Sequence, residues 1–164
     1  MKHSLKENYE ANILDFGLLL DSQLMGLTIK AEAEGEPVLG KIAVGTVILD
    51  RVEHREWDGR TIHEVCLFPK QFSCYNLDSP LRPGLVEIAN DFENVRARNK
   101  YLNECVSIAE QMMCLEIPRE KDLAVARCCQ YLNPKTAAST REKWLKSGMR
   151  SIKVIGNHEF FAEG

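Results

Sequence analysis

Apolar residues in the first third of the chain recur at helical spacing. The clearest stripe, at i, i+4, i+7 and i+11, consists of Leu20, Leu24, Leu27 and Ala31. This spacing predicts a helix over residues 21–34 that buries one face. Residues 8–20 are predicted to form a short helix or an ordered approach to it. Residues 38–54 are apolar over most of a helical circumference, which predicts the central buried helix of the domain.

The middle of the chain combines turns with further helices. A turn is predicted at residues 57–61, a short helix at residues 62–67, and an aromatic, proline-led loop at residues 68–73. A later helix, which we expect to end at Pro118, carries a core stripe of five residues: Tyr101, Cys105, Ile108, Met112 and Leu115.

The last quarter of the chain has the pattern of strands. Residues 123–132 are predicted to form one strand, and residues 152–161 two short extended runs around Gly156 and Asn157. Helices followed by strands indicate an α+β domain with a small sheet at its C-terminal end.

Length and charge limit the classes of protein. A chain of 164 residues fits a single domain. The net charge of −3 offers no basic face for nucleic acid, and no apolar run approaches the roughly 18 residues that span a bilayer. We expect a monomer without stable membrane association. Acidic residues interrupt the N-terminal 21 residues, so we predict no signal peptide and synthesis in the cytoplasm.

The six cysteines raise the question of disulfides and metal. Reduced thiols are the default for a cytoplasmic chain that is long enough to build a core. Zinc is an alternative because His54, His63, Cys66 and Cys74 lie within one stretch, but their spacing matches none of the paired ligand patterns. We predict no metal and no cofactor.

Glu32 occupies an unfavourable position for a carboxylate. It lies at the edge of the buried stripe in the last turn of its helix, where the helix dipole already places partial negative charge. Partial burial and a helix C-terminus both disfavour the charged form of a carboxyl group. A general acid that cleaves a glycosidic bond near neutral pH needs such a raised pKa. A solvated acidic turn stays open as the alternative, because Glu34 and Glu36 follow within four residues.

Several blocks of the sequence, in order, resemble the SleB/CwlJ-type cell wall hydrolases. The first is AEAEGEP at residues 31–37, followed by the apolar run at residues 42–52. The others are PKQFS at residues 69–73, YLNP at residues 131–134 and IGNHEFF at residues 155–161. These blocks are similar to the family's G-E-A-x-G-E, Q-F-S, Y-x-N-P and I-G-x-H-x-F-Y segments, with Ala31 in place of the first glycine.

The resemblance covers roughly residues 27–161 and implies a mostly helical, lysozyme-like fold related to transglycosylases. It implies a catalytic domain at residues 21–164, preceded by an N-terminal helix or extension at residues 1–20. The partner implied is the glycan strand of peptidoglycan, and the position of the family's catalytic acid is Glu32. We expect neither a wall-binding module nor an export signal, and in this respect the chain resembles a phage or prophage endolysin that is released through a holin pore.

The reaction type depends on a second carboxylate. Hydrolysis requires one about 5–9.5 Å from the acid, and Glu36 is the nearest candidate. If Glu36 instead anchors the loop, Glu32 acts alone as a lytic transglycosylase: it donates a proton, then takes the proton of the muramic acid 6-hydroxyl and yields a 1,6-anhydro product. The resemblance favours this route.

The remaining site residues are predicted to bind substrate: Glu36, Gln71, Phe72, Ser73, Tyr131, Asn133 and His158. Phe72 has an alternative role in pinning its loop to the core, and His158 an alternative structural role. Other functions stay open. They are a hydrolytic muramidase, an N-acetylmuramoyl-L-alanine amidase, which would need a zinc site or a Cys–His pair, and a non-catalytic binding module or lysis regulator.

Overall fold

The computed structural model describes residues 3–54, 60–69, 71–128 and 130–164. Its helices are α1 (Leu5–Phe16), α2 (Asp21–Ala33), α3 (Val38–His54), α4 (Ile62–Leu67), α5 (Arg82–Asn90), α6 (Phe92–Arg98), α7 (Lys100–Met113), α8 (Lys121–Ala126) and α9 (Ala138–Lys146), with a 3₁₀ turn at Ser73–Tyr75. Its strands are β1 (Gln130–Leu132), β2 (Arg150–Ile155) and β3 (His158–Ala162). Residues 57–59 of the predicted turn, Lys70 and Cys129 lie outside the described ranges.

Helix α2 packs tightly against α7. A Cβ atom on Gly26 would lie 2.6 Å from the Cα atom of Val106, so the missing side chain lets the two backbones approach. Leu24 and Leu27 of the predicted stripe are fully buried, whereas Leu20 is 66% exposed because it precedes the helix. This packing determines where the C-terminal turn of α2, and therefore Glu32, lies.

Helix α3 is the central buried helix, as predicted. Its residues Val44 and Ile48 belong to the main helical core. Ala43 and Val47, on an adjacent face, pack in a second cluster with residues of α8 and the sheet. The helix therefore joins the helical part of the domain to the strands.

The small C-terminal sheet is antiparallel, with strand order β1-β3-β2. Tyr131 lies opposite Phe160, and Ile155 opposite His158 at the end of the hairpin. The α+β prediction with a small C-terminal antiparallel sheet is thereby confirmed.

The prediction of one strand over residues 123–132 is wrong for its first half. Residues Lys121–Ala126 form α8, because the Glu120 carboxylate accepts the amide hydrogen of Leu123 at 2.8 Å and caps the helix. Arg127 ends it in the left-handed conformation, with φ of 52°. Among the described residues of the predicted strand, only 130–132 pair with β3.

Two other features differ from the sequence prediction. Helix α7 ends at Met113, and the two ends of its predicted stripe are exposed, Tyr101 to 47% and Leu115 to 86%. Helix α9 was not predicted, because it buries none of its residues and so lacks an apolar stripe. Its Trp144 instead makes an edge contact with Phe161, with ring centroids 5.3 Å apart.

Helix α1 packs into the helical core. Phe16 is fully buried, and the Asn12 amide donates to the Leu67 carbonyl at 2.9 Å. The Arg82 guanidinium donates to Asn12 and, at 2.7 Å, to Asp15. The domain boundary at residue 20 stays a prediction. None of the described helices has both the length and the apolar character that crossing a membrane requires.

Candidate active site

The carboxyl group of Glu32 lies where three parts of the chain meet. It belongs to the last turn of α2, and the hydroxyl of Tyr131, from β1, donates to its Oε2 atom at 3.0 Å. The side chain of Cys74, from the 3₁₀ turn, interacts with the same carboxyl and favours its charged form. The Arg51 guanidinium of α3 adds a favourable charge interaction.

Burial dominates the electrostatics of Glu32 and raises the pKa of its carboxyl group. The hydrogen bond from Tyr131, the interaction with Cys74 and the charge of Arg51 act in the opposite direction, because they stabilise the carboxylate. The group is therefore suited to hold a proton and also to lose it without becoming an unpaired buried charge. Such a carboxyl can act as an acid and afterwards as a base.

Arg51 is 6% exposed and lies over the ring of Phe72, 5.0 Å from the ring centroid. Phe72 is only 3% exposed, so this contact uses it to pack the loop against α3 and supports its alternative structural role. Its predicted role on a sugar face stays untested.

Glu36 is held by the turn between β2 and β3. Its Oε1 and Oε2 atoms accept the backbone N–H of Asn157 at 3.3 and 3.1 Å. Its side chain is only 9% exposed. This geometry is that of an anchor between the α2–α3 connection and the hairpin.

The structure places three further predicted residues in turns. Gln71 is half-buried, and its N–H bonds to the Phe68 carbonyl at 3.3 Å. Ser73 is exposed at the start of the 3₁₀ turn. The Asn133 side chain accepts the N–H of Lys135 at 2.9 Å, which organises the turn after β1. Their predicted substrate contacts stay predictions.

His158 packs beside Tyr131, with ring centroids 4.9 Å apart. Its Nδ1 atom lies 3.9 Å from Oε1 of Glu36. Burial lowers the pKa of the imidazole, and the Glu36 charge partly opposes this. Burial therefore favours the neutral imidazole, which contacts Tyr131 through packing.

Two residues of the site, Arg51 and Cys74, were missed as candidates. Arg51 follows Val44 and Ile48 at i+7 and i+3 on the core-facing side of α3, so a charge on a buried stripe was the available signal. Cys74 had no local signal, because only the fold brings it to Glu32.

The suspected zinc ligands do not converge. His63 contacts the Leu19 carbonyl through Nε2 and the Asp21 carboxylate through Nδ1, at 2.7 and 3.1 Å, whereas Cys74 contacts Glu32. His54 does group with Asp50 and Glu53 in the described part of the chain. Arg119 forms ion pairs with both of these acids.

Two solved structures resemble the chain. One is the catalytic domain of the germination-specific lytic transglycosylase SleB from Bacillus anthracis, 27% identical over 85% of this chain and 92% of that one, with a TM-score of 0.58. The other is the catalytic domain of the Bacillus cereus SleB protein, 28% identical over 85% of this chain and 88% of that one, with a TM-score of 0.57. These matches confirm the predicted lysozyme-like fold.

No curated protein matches the chain. The profile of one protein family, described as cell wall hydrolase, matches residues 35–161, which is most of the sequence. The match begins three residues after Glu32 and includes the other predicted site residues. It confirms the resemblance that the sequence motifs indicate, and the chain belongs to the cell wall hydrolase family.

Proposed function

We propose that the chain is a lytic transglycosylase that cleaves the glycan strand of peptidoglycan, with Glu32 as its single acid and base. The observation that carries this proposal is the environment of Glu32. Burial raises the pKa of its carboxyl, which favours the protonated acid, and Tyr131 is placed to stabilise the carboxylate that remains once the proton has left. The lytic transglycosylase named among the similar structures supports the same reaction class.

The reaction uses Glu32 twice. The protonated carboxyl donates its proton to the glycosidic oxygen, the bond to the anomeric carbon breaks, and an oxocarbenium-like centre forms. The 6-hydroxyl of the muramic acid then attacks that carbon. Its proton passes to the Glu32 carboxylate, so the acid is regenerated and no water is consumed.

The contacts of Glu36 favour this route over hydrolysis. A hydrolase needs a second carboxylate that can act as a nucleophile or activate water. Both oxygens of Glu36 bind the Asn157 amide, which gives this carboxylate a structural partner. The Cys74 thiol gives no support to a cysteine-dependent amidase, because burial and the Glu32 charge raise its pKa and disfavour the thiolate.

The test is mass spectrometry of the soluble fragments released from purified peptidoglycan. We expect glycan ends of 1,6-anhydromuramic acid, one water lighter than the products of hydrolysis. Glu32→Gln should lower the rate by about 10²–10⁴-fold, the usual contribution of a general acid–base group. The matched control is Glu34→Gln, because Glu34 is exposed two residues away and pairs only with Lys30, at 3.4 Å, among the described residues; it should keep the wild-type rate.

Two results would contradict the proposal. Reducing ends that carry the full water would make the enzyme a hydrolase, and an active Glu32→Gln variant would remove Glu32 from the chemistry.

The phage or prophage lysis role, with release through a holin pore, stays a prediction. It is tested by co-expressing the chain with a holin and following lysis of the culture.

A further inference from the structure

The Tyr131 hydroxyl that reaches Glu32 comes from a residue 99 positions away in the sequence. Its strand, β1, has only three residues and pairs with one neighbour. The direction of the hydroxyl therefore depends strongly on what packs around the ring. Among the described residues two rings do so, those of Phe160 and His158, with centroids 5.4 and 4.9 Å from the Tyr131 centroid.

These two supports differ in how they are held. Phe160 is fully buried and lies opposite Tyr131 in the sheet, so the core fixes it. His158 is the first residue of β3 and follows a two-residue turn. Its Nδ1 atom is buried and has no hydrogen-bond partner among the described residues. Because Nδ1 provides no such bond, the position of the His158 ring depends on the turn that precedes it.

Glu36 holds that turn. Gly156 has a φ of +59°, and glycine at the first position of a two-residue hairpin loop is typical of a type II′ turn. A Cβ atom at Gly156 would lie 2.0 Å from Oε2 of Glu36, so the glycine also makes room for the carboxylate. Bonds from the Asn157 N–H to the charged carboxylate are stronger than neutral hydrogen bonds.

We propose that Glu36 is a positioning residue for the reaction: it holds the Gly156–Asn157 turn, and so holds His158 against Tyr131 and the Tyr131 hydroxyl on Glu32. Glu36 acts at a distance, through contacts that the described residues supply one after another. The inference rests on the proposed function of Glu32 as the acid. It assigns to the second glutamate of the motif a role other than chemistry.

The test is a double-mutant cycle on the rate of glycan cleavage, with Glu36→Ala, Tyr131→Phe and the double variant. Loss of one hydrogen bond to a charged group should lower kcat by about tenfold in Tyr131→Phe, and Glu36→Ala should lower it by a similar or smaller factor. The double variant should be no slower than Tyr131→Phe alone, because both changes remove the same contact. Independent, multiplying losses would overturn the proposal.

The pH profile supplies a readout that a general loss of structure would not move. The Tyr131 hydrogen bond lowers the pKa of Glu32, so its loss should leave Glu32 protonated to higher pH. The alkaline limb of the rate profile should therefore move to higher pH in Tyr131→Phe and in Glu36→Ala alike. An unmoved limb in Glu36→Ala, with a moved limb in Tyr131→Phe, would also overturn the proposal.

Three further variants separate positioning from chemistry and from misfolding. Glu36→Gln keeps an oxygen that can accept the Asn157 N–H, so it should recover much of the rate lost in Glu36→Ala. If it is instead as inactive as Glu32→Gln, Glu36 is a chemical group and the proposal fails. His158→Ala should reproduce the Glu36→Ala profile, and His158→Phe, which keeps a ring beside Tyr131, should lose less.

The outcome is separable from that of the proposed function. The cycle compares rates and pH limbs, whereas the reaction class is read from the mass of the product ends. Hydrolytic products with a non-additive cycle would refute the transglycosylase route and keep the positioning role of Glu36. Products with 1,6-anhydro ends and an additive cycle would support the transglycosylase route and refute the positioning role of Glu36. Glu34→Ala serves as the matched control, since Glu34 is exposed and lies on the same turn.

Discussion

Replacing Gly26 by alanine tests whether the contact between α2 and α7 determines the stability of the domain. Intrinsic helix propensity alone favours alanine over glycine by about 1 kcal/mol. The added Cβ atom, however, would lie 2.6 Å from Cα and 2.9 Å from N of Val106. These are backbone atoms, which cannot rotate away.

The clash should outweigh the gain in propensity. Carbon atoms pack best at about 3.5–4.0 Å, so the helices must separate by about 1 Å. Overpacking of this kind costs typically about 1–3 kcal/mol and occasionally more. Because the clashing atoms belong to the backbone, the cost should lie at the upper end of this range, about 3 kcal/mol. After the propensity gain of about 1 kcal/mol, we expect Gly26→Ala to lower the free energy of unfolding by about 2 kcal/mol, and the melting temperature by about 4–8 °C for a domain of this size.

Two other glycines provide matched controls in urea denaturation experiments. Gly84 in α5 has no atom within 4 Å of a built Cβ, so Gly84→Ala should stabilise by up to about 1 kcal/mol. A Cβ atom at Gly45 in α3 would lie 2.7 Å from the sulfur of the flexible Met112 side chain. The change in stability of Gly45→Ala should therefore lie between those of Gly26→Ala and Gly84→Ala. A Gly26→Ala variant as stable as the wild type would refute the reasoning, and so would equal shifts at Gly26 and Gly84.

Two further predictions concern buried charges. Burial raises the pKa of Asp50 from 3.8 to about 6, so the native state holds the carboxyl proton more tightly than the unfolded state does. The stability that comes from this proton is lost as pH rises from about 4 to about 6. The free energy of unfolding of Asp50→Asn should therefore rise relative to that of the wild type across that window, by at most about 3 kcal/mol. A difference in urea unfolding that does not change with pH would contradict this. Arg82 is 5% exposed and donates to the Tyr75 carbonyl at 2.6 Å and to Asp15 at 2.7 Å. Arg82→Lys cannot reproduce this forked set of hydrogen bonds and should lower the free energy of unfolding by about 2 kcal/mol or more. The exposed control Arg98→Lys should leave stability unchanged when both variants are compared in thermal melts. Equal losses of stability would show that the guanidinium geometry is unimportant.

Glu36 is the residue whose interpretation changes most between sequence and structure. From spacing alone it was both a candidate second carboxylate and a candidate loop anchor, because the turn at Gly35 and Pro37 hides its distance from Glu32. The Asn157 amide that binds it lies 121 positions away. No local pattern could have indicated that partner.

The sequence motifs and helical periodicity were sufficient for the family, the α+β class, the central helix α3 and the identity of the candidate acid. Apolar spacing reports which face of a helix is buried, and this spacing by itself placed Glu32 at the edge of a buried stripe. The same reasoning failed for α9, which buries none of its residues, and for α8, which depends on a capping carboxylate. Periodicity carries no signal where a helix is not amphipathic.

Tertiary structure alone decided the surroundings of the acid. Tyr131 and Cys74 come to Glu32 from distant parts of the chain. The Tyr131 hydrogen bond and the Cys74 interaction, together with burial, influence how readily the carboxyl holds its proton. The helix dipole and partial burial that the sequence indicates predict only that the pKa of Glu32 should rise. A hydrogen bond depends on the distance and direction between two side chains, and for residues far apart in sequence these follow from the packing of the whole domain.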